Sequence, residues 1–201
     1  LQYSFTRNKM DFDGKDNTEK SFLTASRDLE KQHLSAGYIN LAYPLNTSWS
    51  LNGGLRFENN AFDYLENNKK IEDQSKTFTD WLPQFGISFQ KGNWNANLTF
   101  DSNITRPDYS ELNNNYSYVS HTSWETGNPL LKSSLTRSLD LSVSWKQTIF
   151  EAIYSRNIRN INTIYTYKPS DNVNVRQEIN LPNFNSLILI ASQSLDIGLW
   201  H

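Results

Sequence analysis

The sequence has no cysteine, so disulfide frameworks, thiolate zinc sites and cysteine nucleophiles are excluded together. Neither sign of charge dominates. The 19 Lys and Arg and the 21 Asp and Glu are spread along the chain, without the basic stripe that neutralises a phosphate backbone, so nucleic-acid binding has little support. Long hydrophobic runs are also missing: the longest purely apolar stretch, Leu187 to Ala191, is far short of the roughly 20 residues a membrane-spanning helix needs. Helical spans are therefore excluded. The chain begins at Leu1 without a methionine or a basic and apolar leader, which reads as a piece of something longer.

What is present is aromatic and polar at once. Among 201 residues, 6 Trp, 10 Tyr and 11 Phe sit with Asn, Ser and Thr rather than with Leu and Ala, a composition that favours strands. Too much of the chain is apolar for an open, charge-extended coil, and the length suits one domain.

Side-chain character alternates with a period of two. Trp94, Ala96, Leu98 and Phe100 oppose Asn95, Asn97, Thr99 and Asp101, while Leu139, Leu141, Val143 and Trp145 oppose Ser138, Asp140, Ser142 and Ser144. Trp49, Leu51, Leu55 and Phe57 repeat the pattern against Ser50, Asn52, Arg56 and Glu58; Trp81, Phe85, Ile87 and Phe89 make a fourth strand, and Leu195, Ile197 and Leu199 a fifth. Only Thr18 to Gln32 offers a weak helix, with apolar positions too sparse for a firm face.

Short connections at Pro44–Ser48, Lys91–Asn93 and Lys146–Thr148 alternate with long polar ones at Asn8–Glu30, Ala61–Lys76, Thr105–Ser133 and Lys168–Asn172. Strands are predicted over about Leu1–Arg7, Lys31–Tyr43, Trp49–Asn60, Thr77–Gln90, Trp94–Thr105, Ser134–Trp145, Ile149–Tyr167 and Val173–Ser194, roughly eight in up-and-down order. Strands this long, with all long loops at one end and tryptophans near strand ends, fit a transmembrane barrel with lipid outside and a wet lumen inside. The expected fold is an all-β, antiparallel up-and-down transmembrane β-barrel section of about eight strands, with short periplasmic turns and long extracellular loops. A soluble antiparallel β-sandwich is the alternative.

The long loop reads Arg106-Pro107-Asp108-Tyr109-Ser110-Glu111-Leu112-Asn113, then Tyr116 and Tyr118, then Gly127-Asn128-Pro129-Leu130-Leu131-Lys132 before the strand at Ser134. This ordered pair of motifs resembles the outer-membrane β-barrel family related to TonB-dependent receptors, common in Bacteroidetes-type bacteria. Tyr154-Ser155-Arg156, Ile161, Ile164, Asn180 and Trp200 extend the likeness, which runs from about Leu34 onward; Asn114 stands where the family has a proline. The resemblance implies a bacterial outer-membrane location and a large barrel with a plug domain, energised by the periplasmic TonB protein. Residues 1–201 are then a single internal section of the barrel domain, serving ligand binding and nutrient uptake for an unidentified nutrient. A surface-display or assembly barrel is the other reading.

Pro107 and Pro129 fix φ and stop pairing, Gly127 permits a positive φ, and Arg106 can clamp carboxylates or carbonyls to hold the loop, so Pro107, Gly127, Asn128 and Pro129 are expected to be structural. Arg106, Tyr109, Tyr116, Tyr118 and Trp124 are the candidate ligand-binding residues, with rings suited to stacking on a sugar or peptide. Residues 11–19 bring acidic oxygens around Gly14, but the glycine comes too early for an EF-hand, and a solvated loop is the stronger reading than calcium. His33, His121 and His201 are far apart, and no Gly-x-Ser-x-Gly elbow, phosphate loop or dinucleotide fingerprint occurs. No catalytic residue, metal site or cofactor is expected, and the chain is not read as an enzyme.

Overall fold

The computed structural model describes residues 2–12, 26–112, 116–195 and 198, of which 2, 7–12, 26–28, 30, 73 and 109 are described by their backbone. Eight strands form one antiparallel sheet in the order β1 (Gln2–Phe12), β2 (Ser26–Pro44), β3 (Trp49–Glu66), β5 (Lys76–Lys91), β6 (Trp94–Thr105), β9 (Ser134–Trp145), β10 (Thr148–Ile158) and β13 (Phe184–Gln193). A two-residue strand, β4 (Lys69–Lys70), adds to the outer end of β3. A smaller sheet in the order β11 (Ile161–Lys168), β12 (Val173–Asn180), β8 (Ser123–Thr126) and β7 (Tyr116–Ser120) is built from the outer loops.

The ladders explain why the two-residue alternation reads so clearly. Leu98 pairs with Leu141, which pairs with Ala152, which pairs with Leu189, so one face carries an apolar band across four strands. Its neighbours Asn97, Ser142 and Glu151 share the other face, as do Asn52, Gly86 and Thr99. Leu55, Trp81, Phe85, Leu139, Tyr154, Leu187 and Leu189 are exposed, because among the described residues no second sheet covers the apolar side. That excludes the sandwich, whose apolar faces pack on one another. Trp49 meets Phe89 (4.7 Å between centroids) and Trp94 meets Trp145 (5.7 Å) at the short-turn end, while Phe57 meets Trp81 (4.8 Å) higher up. Aromatic pairs thus flank the apolar band on both sides, where membrane interfaces place them.

The short turns lie where predicted. Gly92 and Lys146 take positive φ (57° and 54°), which lets two-residue connections reverse the chain. The long connections differ from expectation, because strands continue into them. β1 runs to Phe12 and β2 starts at Ser26, so the weak helix of Thr18–Gln32 is strand from Ser26 onward; residues 18–25 lie outside the described residues. Asn67 and Asn68, both at positive φ, close a tight hairpin that pairs Glu66 with Lys69.

Two predicted strands are each broken in two. Ile149–Tyr167 divides at Arg159, whose φ of 56° turns the chain, and Val173–Ser194 divides at Leu181–Asn183, where Pro182 has no N–H to give to a ladder. Beyond this joint β11 and β12 leave the main sheet, and β12 pairs with β8 in parallel, a departure from a purely antiparallel meander. The fifth alternating strand is not seen: β13 ends at Gln193, and Ile197, Leu199 and Trp200 lie outside the described residues.

Along β5 and β6, pairing runs only from Lys91–Trp94 to Phe85–Phe100, although both strands continue. Pro83 lies just beyond the last pair and lacks the donor a ladder between two neighbours requires. The sheet parts there, and the recess described next opens beside the split.

Candidate functional site

The polar face of β2, β3 and β5 supplies the floor of a recess of about 420 Å³, roofed at one side by residues leading out of β6. Asn40, Gly54 and Gln84 are register mates on three consecutive strands. Gln84 Nε2 donates to Asn40 Oδ1 at 2.9 Å across Gly54, and a Cβ at Gly54 would collide with both amides. A bare backbone is therefore needed for the two carboxamides to meet over the middle strand.

Glu58, two residues along β3 from Arg56, is only 3% exposed. Such burial of a carboxylate requires partners. Arg56 Nε donates to Glu58 Oε1 at 2.5 Å, and Arg106 Nη2 reaches Glu58 Oε2 from the loop after β6. One carboxylate thus stands between two guanidinium groups, which leaves the recess net positive. Burial, and secondarily the charge of Arg56, lower the pKa of Arg106, yet an arginine starts so high that it stays cationic. Arg106 Nε is buried without a hydrogen-bond acceptor among the described residues.

From Arg106 the loop is tied down residue by residue. Pro107 ends the strand, and the Asp108 amide donates to Glu111 Oε2 (2.9 Å), half of a capping box for the single helical turn α1 (Tyr109–Leu112). Leu112 is buried with Leu131, Phe62 and Tyr64, so both motif leucines sit on the inner face of β3. Asn128 fixes the rest: its amide donates to the Glu111 carbonyl (2.5 Å), its Nδ2 to the Glu178 carbonyl (3.0 Å), and its Oδ1 accepts from the Leu130 amide (3.0 Å). Gly127 does not take a positive φ, contrary to expectation; its carbonyl accepts from Gln177 Nε2 (2.8 Å) instead. Asn180 accepts from the Lys132 amide and donates to the carbonyls of Lys132 and Arg159, each at 2.8 Å. The Gly-Asn-Pro element is stitched to β12 through side-chain amides.

The aromatic candidates gather elsewhere. Tyr116, Tyr118 and Trp124 lie together on β7 and β8, away from the recess of Arg106. Trp124 is 3% exposed, enclosed by Val173, Val175 and Tyr116, so its ring supports the small sheet and offers no open stacking face. Tyr116 is half-buried, with its hydroxyl accepting from Lys168 Nζ (3.1 Å) and the ammonium 4.9 Å from its ring. Tyr118 is 55% exposed and meets Trp124 edge-on (5.2 Å). The Tyr109 side chain, and residues 13–19 of the acidic stretch, lie outside the described residues. Among the described residues no group of three His, Asp or Glu is placed to hold a metal ion. Glu58 escaped the sequence reading, although its position in line with Arg56 on a polar face was visible.

A family model described as the outer membrane protein beta-barrel family matches residues 1–201. The chain belongs to this family. Solved outer-membrane receptors are similar to it at low identity. The hemophore receptor HasR of Serratia marcescens, in complex with its hemophore HasA and heme, is 12% identical with a TM-score of 0.59, over 93% of this chain and 38% of that one. The ferric enterobactin receptor PfeA (15% identity, TM-score 0.43, 99% and 39% coverage) and the siderophore receptor PirA (12%, 0.45, 94% and 46%), both of Pseudomonas aeruginosa, are also similar. The chain spans less than half the length of these receptors. No curated protein matches it. As a member of this family the protein is a bacterial outer-membrane β-barrel resembling TonB-dependent receptor barrels, and the sheet is open between β1 and β13.

Proposed function

We propose that the chain is one section of the barrel of an uptake receptor, which binds a nutrient at its outer face and passes it inward through the lumen. The observation that carries this reading is the recess at Arg56, Glu58 and Arg106, a concave, net-positive, amide-lined surface on the inner face, directly under a firmly tied outer loop. Such a wall offers donors and acceptors to a polar solute and no set of nucleophile, base and orienting group for chemistry. Arg106 and the exposed Tyr118 are the ligand-contacting candidates, at the recess and on the outer sheet. A plug domain and the TonB energy-coupling protein, both outside residues 1–201, complete the machine.

The hemophore receptor HasR is solved with its hemophore and heme, and uptake of an iron-bearing solute of that kind is the test case. The full-length protein is reconstituted in liposomes and challenged with heme and with ferric siderophores, with and without an energised TonB system. Energy-dependent entry of one ligand, reduced by Arg106→Ala, supports the reading. No entry of any candidate under energised conditions removes it.

A further inference from the structure

Arg137 on β9 and Arg156 on β10 are direct cross-strand partners, and they stand on the apolar face of the sheet. Two-residue alternation puts Arg137 in line with Leu139, Leu141 and Val143, and Arg156 in line with Tyr154, Ala152 and Phe150. Like charges directly opposite one another destabilise a strand pair. Among the described residues neither guanidinium has an ion-pair or hydrogen-bond partner, and no carboxylate shares their row: the flanking register mates are Ser102 and Asn185. Both Arg137 and Arg156 are exposed.

Their height explains what they meet. Along β9 from Trp145 to Arg137, eight residues (145 − 137 = 8) at about 3.3 Å each and a tilt of about 40° rise roughly 20 Å. The apolar band of such barrels is about 25 Å tall, so the pair lies near its outer boundary, where acyl chains give way to headgroups. On three neighbouring strands the face turns polar at this row, as Leu139, Tyr154 and Leu187 give way to Arg137, Arg156 and Asn185.

We infer that Arg137 and Arg156 form a binding site for the phosphate of an outer-leaflet lipid, held by two guanidinium forks while its chains lie on Leu139, Tyr154 and Leu187. Guanidinium groups match phosphate oxygens in pairs, and an anion between them relieves the repulsion that the bare pair carries. A lipid fits better than a dissolved anion, because the apolar surface for its chains is continuous with the charged row.

The test uses the full-length protein in nanodiscs of phosphatidylcholine with a minor fraction of phosphatidic acid, and native mass spectrometry to count retained lipid. Wild type is expected to keep phosphatidic acid about tenfold better than R137Q/R156Q, as for loss of charge-assisted hydrogen bonds, and to keep it in the presence of inorganic phosphate. Equal retention by wild type and the double variant overturns the site, as does equal retention of phosphatidylcholine and phosphatidic acid by wild type. Displacement by inorganic phosphate overturns the lipid as its occupant. If the double variant does not fold, the single variants R137Q and R156Q decide: weaker retention in both supports the site, and unchanged retention overturns it.

Discussion

The guanidinium of Arg106, in the outer loop, pairs with the carboxylate of Glu58, buried on β3 and already bonded to Arg56. Removing the carboxylate leaves two cations facing each other in a poorly solvated recess. Glu58→Gln is expected to destabilise the loop by about 2–3 kcal/mol, below the figure for a fully buried pair because both arginines are partly exposed. Amide hydrogen exchange over residues 106–112 reads this directly: faster exchange there, with β6 below Phe100 unaffected, is the expected pattern.

Leu112 and Leu131 come from different motifs and share one cluster with Phe62 and Tyr64. Truncating either to alanine opens a cavity and is expected to cost about 2–4 kcal/mol of loop stability. Because the two contact the same neighbours, the double variant should lose less than the sum of the singles. Limited proteolysis of the full-length barrel measures it, and simple additivity would show that the two leucines act apart.

Asn180 binds Lys132 twice and Arg159 once, at the joint where β11 and β12 leave the membrane sheet. Asn180→Ala leaves those backbone groups without their side-chain partner, at a cost of about 1–3 kcal/mol. Tryptophan emission from Trp124, enclosed in the small sheet, should shift to the red as the hairpin loosens; unaltered emission and exchange would mean the amide is dispensable.

The apolar band gives a test of which face meets lipid. Leu98→Arg places a charge in mid-band and is expected to cost about 2–4 kcal/mol in denaturant unfolding from vesicles, whereas Asn97→Arg, on the opposite face, should cost far less. Similar costs for the two would reverse or cancel the assignment of faces.

The order of the eight strands of the main sheet, their register parity and the positions of the short turns were legible in the sequence, because a sheet with lipid on one side and water on the other writes its geometry as strict alternation. Trp94 through Asp101 needs nothing distant to decide its faces. The loop motifs likewise announced a folded loop, since proline, glycine and asparagine act locally. What only the tertiary structure decided was what those residues meet. Alternation cannot say that Glu58 would receive Arg106, that Leu112 and Leu131 would share Phe62 and Tyr64, or that Trp124 would be enclosed by Val173 and Val175. Nor does it show that Arg159 would turn left-handed and send a hairpin off the sheet to pair in parallel with β8. Each depends on contacts between segments far apart in the chain, where burial and charge pairing between elements, not the preference of any residue, set the outcome.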